Sequence, residues 1–242
     1  MSEIKIENLN LSLDNKIILE DINLSIKAGE YVGLIGPNGA GKSSLIKCIL
    51  GLRQFDSGKI IKGAGVKFAY VPQYFLGESG FALSVYEVIR MGLQNDLIFG
   101  SLKQKRKILD VLKKVDLKED ILNENFLNLS GGQKQRVVIA RALVSEPNFL
   151  IFDEAFSNID MKSKILIYDL LAKINQTDKT TILFVSHEVD TIIQKCKRVL
   201  CLNKHLHEGC HPIKFMEGEI VENGQLQDNL NLIHHHHNHS KC

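Results

Sequence analysis

An excess of either charge is the first thing this sequence lacks. Lysine plus arginine number 30 against 28 aspartate plus glutamate, a net charge of +2. That balance gives no electrostatic reason to expect a phosphate backbone as partner, so nucleic acid is not expected. The opening stretch MSEIKIENLNLSL has no basic region followed by an apolar one, and no export signal is read there. Nowhere does an apolar run reach the roughly 20 residues that cross a bilayer. Cysteine is scarce too. Five are present, an odd number without an export signal, which argues against a disulfide framework. Cys48 lies in an apolar helical stretch and reads as a small buried hydrophobe, whereas Cys201, Cys210 and Cys242 lie among histidines.

What is present suits one large α/β unit: 242 residues with 44% hydrophobic content can bury a sizeable core. IKIENLNLSL and DINLSI alternate with a period of two, and YVGLI is a continuous apolar run. The runs VKFAYV, NFLIFD, TILFVS and RVLCLN follow. Most lead into helical patterns such as SKILIYDLLAKI and EVDTIIQKC, which predicts a mainly parallel sheet covered by helices. From about Phe81 to about Asn125 the pattern is helical throughout, which predicts an inserted helical subdomain, extended to about residue 145 by the helix after LSGGQ. The lysines of LKQKRKILDVLKK read as a solvated face.

GPNGAGKS, from Gly36 through Pro37, Asn38, Gly39, Ala40, Gly41 and Lys42 to Ser43, fits the phosphate-loop pattern G-x-x-x-x-G-K-S/T between a strand and a helix. Glycines let backbone N–H groups turn inward onto phosphate oxygens, and the helix start adds partial positive charge. Lys42 reaches the β and γ phosphates, Ser43 offers a hydroxyl to Mg²⁺, and Ser44 is available to the α phosphate. In NFLIFDEA, Asp153 and Glu154 end a buried strand. Asp153 is the candidate Mg²⁺ holder and Glu154 the candidate base for the attacking water. A serine followed by two glycines in LSGGQ allows an N-cap and close backbone approach to an anion at a helix start.

At LSGGQ, Leu129 to Gln133, the sequence resembles the ATP-binding-cassette family, from about Ile4 to about Asn203. The resemblance implies a P-loop ATPase core: a mainly parallel sheet with helices on both faces, an N-terminal antiparallel β subdomain and an inserted α-helical subdomain. It implies that Ser130, Gly131, Gly132 and Gln133 close over the γ phosphate of ATP held by a second copy, and hence a homodimer. Gln73 in YVPQ looks like the glutamine that contacts Mg²⁺ and water, and His187 in FVSHE resembles the switch histidine at the γ phosphate. SNID, ending at Asp160, sits where the family has its dimer-crossing loop. Two positions depart from the family's pattern. Leu13 stands where an aromatic residue usually stacks on adenine, and Ala155 follows Glu154 where proline is frequent.

A cassette of this size without spanning helices, coiled coils, zinc modules or a second cassette is expected to be the energy-coupling subunit of a membrane importer. It would lie at the cytoplasmic face of the membrane against an integral permease, and indirectly serve an extracytoplasmic metal-binding protein. RVLCLNKHLHEGCHP and DEAFSNID resemble the corresponding segments of zinc and manganese uptake ATPases. Another small solute, or a soluble cassette acting on protein or nucleic-acid assemblies, remains the alternative. Of nine histidines, all but His187 lie from His205 onward. His205, His207, Cys210 and His211, then His234, His235, His236, His237 and His239, offer donors suited to Zn²⁺. A solvent-exposed polar loop is the other reading of HLHEGCH. The ATPase domain is expected over residues 1–232, with a flexible tail over 233–242.

Overall fold

The computed structural model describes residues 2–73, 82–93, 102–156, 159–186, 192 and 195–209, with side chains from residue 4 onward. The strands are β1 (Ser2–Leu13), β2 (Lys16–Lys27), β3 (Tyr31–Ile35), β4 (Ser57–Lys62), β5 (Phe68–Val71), β6 (Phe149–Asp153), β7 (Thr181–Val185), β8 (Arg198–Asn203) and β9 (His205–Glu208). The helices are α1 (Lys42–Leu50), α2 (Val85–Arg90), α3 (Leu102–Lys114), α4 (Gly131–Leu143) and α5 (Met161–Asp178). The chain divides into two compact units, one up to Gly65 and from Thr181 onward, the other Val66–Thr180.

In the first unit, β1 and β2 form an antiparallel hairpin in which Leu13 faces Lys16. The two linking residues, Asp14 and Asn15, have φ of 48° and 62°, the positive values that a two-residue hairpin turn asks for and that Asp and Asn tolerate. Ile4, Ile6, Leu9 and Leu11 are buried on one side, with Leu19, Ile22, Leu24 and Ile26 opposite. The step from Ile6 to Leu9 breaks the alternation, and the register shifts there. Asn8 supplies the bulge at φ 47°, its side chain donating to Asp21 Oδ1 at 2.8 Å. β4 pairs with the other edge of β1.

The continuous apolar run of β3 is buried at every position, as in a strand covered on both faces, and β7 and β8 flank it in parallel. β9 then adds antiparallel to β8, with Cys201 opposite His207. HLHE is thus a strand, and the loop reading of this part of the segment is corrected. Its pairing comes from β8, since a run this short and polar carries little periodic signal of its own. Arg198 ties the edge down, donating to Ser25 O at 2.7 Å and to Glu30 Oε2 at 3.1 Å, with Glu208 as its third partner. Cys48 and Cys196 are buried free thiols, and burial pushes the Cys196 thiol up to about 12. Cys201 is disulfide-bonded, a bond that the odd cysteine count did not suggest.

In the second unit β5 and β6 pair in parallel, Val71 beside Phe152. α3 buries Gln104, Ile108, Val111 and Leu112 and leaves most of its lysines in solvent. Lys107 and Lys114 reach Glu146 and Asp178 at 3.4 and 2.5 Å. The helix stops at Asp116, whose φ of 55° is left-handed. Arg136 Nη1 covers the end by donating to the carbonyls of Val115 and Asp116 at 3.3 and 2.9 Å. The stretch before LSGGQ is less regular than the uniform helix its pattern suggests. It contains 3₁₀ turns at Glu119–Asn123 and Phe126–Asn128 and an isolated bridge between Ser84 and Asn125. Asn125 is the local cause, because its side chain accepts from Leu127 N–H at 2.9 Å and so favours a turn over a continuing helix.

Candidate functional site

The phosphate loop belongs to the first unit. β3 ends at Ile35 and α1 begins at Lys42. The loop is pressed close to its neighbours, since a Cβ on Gly36 would lie 2.1 Å from the Leu202 carbonyl oxygen. Gly41 has φ 99°, and a Cβ there would meet Leu19 Cδ2 at 2.8 Å and Ile18 O at 2.9 Å. Asn38, Gly39 and Ser43 are exposed, Pro37 and Ser44 partly so, and Ala40 buried. Lys42 is 6% exposed and folds back over the loop, its ammonium donating to Gly36 O at 2.7 Å and Pro37 O at 3.0 Å. No side chain caps α1, and no acid stands in its first turn. A buried ammonium beside a helix start makes this a positive locus shaped for an anion. Gly36→Ala must push β8 and the loop apart. It is expected to cost about 1–3 kcal/mol of stability, read by thermal unfolding, and to weaken Mg·ATP binding at least about tenfold by calorimetry.

The carboxylates belong to the second unit. Asp153 closes β6 and is buried. Tyr70 on β5 donates its hydroxyl to Asp153 Oδ2 at 3.0 Å. Burial, and next the adjoining carboxylate, raise the Tyr70 pKa well above the usual phenol value, so this hydroxyl remains a donor. Glu154 follows with φ 50°, a left-handed conformation uncommon outside glycine. Gln73 Nε2 donates to Glu154 Oε2 at 3.4 Å. The parallel register explains that meeting: with Val71 beside Phe152, the residues just past both strand ends come together. Tyr70 was not singled out from the sequence; the available signal was a hydroxyl-bearing residue near the end of a strand pairing beside the acidic one.

LSGGQ starts α4 with a complete capping box. The Ser130 hydroxyl accepts from Gln133 N–H at 3.3 Å, and Gln133 Oε1 accepts from Ser130 N–H at 3.0 Å. A Cβ on Gly131 would meet no described atom within 4 Å beyond its chain neighbours and its own helix turn, whereas one on Gly132 would lie 2.9 Å from the Ser163 hydroxyl of α5. Asp160 caps α5 by accepting from Ser163 N–H at 3.0 Å, and hydrogen bonding from the Ser163 hydroxyl, then from that N–H, holds its carboxyl below the usual range. The start of α4 is therefore open at Gly131 and braced at Gly132. Leu13 ends β1 half-buried opposite Lys16.

Several sequence candidates lie outside the described residues: His187, Cys210, His211, His234, His235, His236, His237 and His239. His205 and His207 are described, two apart on β9, so they share a face about 7 Å apart. Both ring nitrogens of His205 face Glu20, Nδ1 at 3.1 Å from its carbonyl oxygen and Nε2 at 3.4 Å from Oε2. Among the described residues no group of three or more His, Cys, Asp or Glu is placed to hold a metal ion.

Solved structures align over nearly the whole chain. A protein described as a metal-chelate type ABC transporter, in an inward-facing conformation, is similar at TM-score 0.82 and 24% identity, covering 91% of this chain and 90% of that one. CbiO1 of Clostridium perfringens, part of the ABC transporter complex CbiONQ, aligns at TM-score 0.77 and 26% identity over 89% and 91%. The dimeric structure of a bacterial ABC transporter cassette aligns at 0.69 and 28%, over 85% and 98%. The ABC transporter family itself matches residues 19–157. Since that match spans more than half of the 242 residues, this chain belongs to the ABC transporter family, and its activity is that of an ATPase.

Proposed function

We propose that this ATPase is the energy-coupling subunit of a membrane importer for a divalent transition metal, zinc first and manganese second. What carries the reading of a separate subunit is the similarity to CbiO1 over 89% of one chain and 91% of the other, because that protein is one component of a transporter complex. Two copies of this chain pair around two ATP molecules; the 28% identical cassette, itself dimeric, supports the pairing. Among the described residues no helix is long and apolar enough to cross a membrane, and the permease is a separate chain. The helical segment at about 81–145 engages that permease from the cytoplasmic face. The ATPase domain occupies 1–232 and the histidine-rich tail 233–242.

In this reading the amides of residues 36–41 and the start of α1 hold the phosphates. Lys42 gives up the carbonyls of Gly36 and Pro37 for phosphate oxygens, and the Ser44 hydroxyl or amide serves the α phosphate. Ser43, Gln73 and Asp153 offer a hydroxyl, an amide oxygen and a carboxylate, an all-oxygen set that suits Mg²⁺. Bound there, Mg²⁺ supplies charge neutralisation to the phosphates. Glu154 takes the proton of the attacking water while Gln73 steers its carboxylate, and His187 bonds the γ phosphate. Ser130, Gly131, Gly132 and Gln133 close the site from the second copy, with Asp160 linking the two sites.

The metal cargo is supported by RVLCLNKHLHEGCHP, DEAFSNID and the terminal histidines. An extracytoplasmic metal-binding protein would deliver it. Cells deprived of this chain should lose high-affinity uptake of radiolabelled zinc and regain it with the wild type but not with Glu154→Gln. Unchanged zinc and manganese uptake in those cells would leave transport of another small solute. Zinc sensing by the tail is tested by replacing His234, His235, His236, His237 and His239 together with alanine, which leaves every cysteine in place. The variant should lose zinc binding and zinc inhibition of ATP turnover, and an unchanged response ends the sensing idea.

A further inference from the structure

The β8–β9 hairpin reaches the phosphate loop through one conformationally unusual residue. Lys204 alone separates Asn203 from its pairing partner His205, and its φ of 62° is one that side-chain-bearing residues rarely adopt. Two main-chain bonds hold it there: its N–H donates to Ala40 O at 3.3 Å, and its carbonyl accepts from Glu20 N–H at 2.9 Å. The next residue closes on the same point of β2. His205 Nδ1 lies 3.1 Å from Glu20 O, which can only accept, so Nδ1 carries the proton; Nε2 lies 3.4 Å from Glu20 Oε2.

Both elements joined by this contact also back the loop. β8 presents the Leu202 carbonyl where a Gly36 side chain would be, and β2 presents Ile18 O and Leu19 Cδ2 where a Gly41 side chain would be. The loop is thus supported at its start by β8, at Ala40 by the hairpin turn and at its end by β2. At the turn end of the hairpin the imidazole of His205 ties it to β2 at Glu20, as Arg198 does at Ser25 towards the other end.

We infer that His205 and Glu20 form a clasp that positions the phosphate loop for nucleotide. Neither touches the phosphates; they fix the spacing of the two walls against which Gly36–Gly41 is moulded. A site of converging amides tolerates displacements of only about 0.5 Å, so loosening one wall weakens binding before it harms the fold. The inference rests on the reading of residues 36–43 as the phosphate site, and it gives His205 a role other than metal ligation.

The test uses the full chain and calorimetric titration with Mg·ATP. His205→Ala should raise Kd about fivefold, the effect of a lost hydrogen bond, while kcat at saturating ATP stays within about twofold and Tm barely moves. His205→Asn, whose amide N–H can still reach the Glu20 carbonyl, should restore binding. The double variant His205→Ala with Glu20→Ala should bind no more weakly than His205→Ala alone, since one clasp cannot be lost twice. Wild-type Kd in His205→Ala, with Lys42→Ala impaired, overturns the clasp. So does equal loss of Kd and Tm in the Ala and Asn variants, which would mark general support of the fold. Normal binding by Lys42→Ala would show instead that the phosphate site is misread, and the clasp falls with it.

Discussion

Glu154→Gln should lower ATP turnover by about 10²–10⁴-fold, the span that removal of a positioned general base covers, and leave ATP binding near the wild-type value. The amide is nearly isosteric with the carboxylate, and its oxygen can still accept from Gln73 Nε2, which lies 3.4 Å from Glu154 Oε2. What it cannot do is take a proton from water. Because Glu154 is partly exposed and keeps its left-handed backbone at φ 50°, stability should shift by no more than about 0.5 kcal/mol. ATP would then be held and not cleaved, so the variant should accumulate as a dimer on size-exclusion chromatography with ATP and revert to monomer without it. A Glu154→Gln protein that hydrolyses at the wild-type rate would show that the base lies elsewhere.

Lys42→Ala should fail one step earlier. The Lys42 ammonium is buried and bonds the Gly36 and Pro37 carbonyls, so its loss removes both the charge at the loop and the contact that keeps it folded. Hydrogen bonds to charged groups contribute about 1.5–3 kcal/mol, and each 1.4 kcal/mol is about tenfold in affinity. Kd for Mg·ATP should therefore rise by about 10–100-fold in calorimetry. Lys42→Arg should not rescue, because a planar guanidinium cannot occupy the tight space of a single ammonium. Undiminished binding would mean that the loop does not hold the phosphates. The two variants separate binding from cleavage, one losing affinity and the other losing rate.

The parts legible in the sequence are those whose pattern is intrinsic. YVGLI is apolar without interruption because both faces of the strand are buried, and the glycines after it mark a loop that main chain crowds from two sides. The Ser130 cap could be read from LSGGQ, since a serine three residues before a glutamine is itself a capping box. β4 and β9 were not legible. SGKIIK and HLHE are short, largely polar edge strands whose structure comes from β1 and β8 rather than from their own alternation. The meeting of Gln73 with Glu154, and of Tyr70 with Asp153, depends on parallel register between segments about 80 residues apart, which local spacing does not encode. His205 illustrates the same limit: its neighbours along the chain suggested a metal ligand, but its partner in the fold is Glu20.

On the proposed function, two copies of this chain must come together around ATP before either can cleave it. Its most direct test is the ATPase rate per chain, measured for the purified protein over a wide dilution series at saturating Mg·ATP. Cooperation between copies predicts a specific rate that falls steeply as the protein is diluted below its dimerisation range and recovers on concentration. A specific rate that stays constant at every dilution, with the protein monomeric throughout, would show that one copy cleaves ATP unaided.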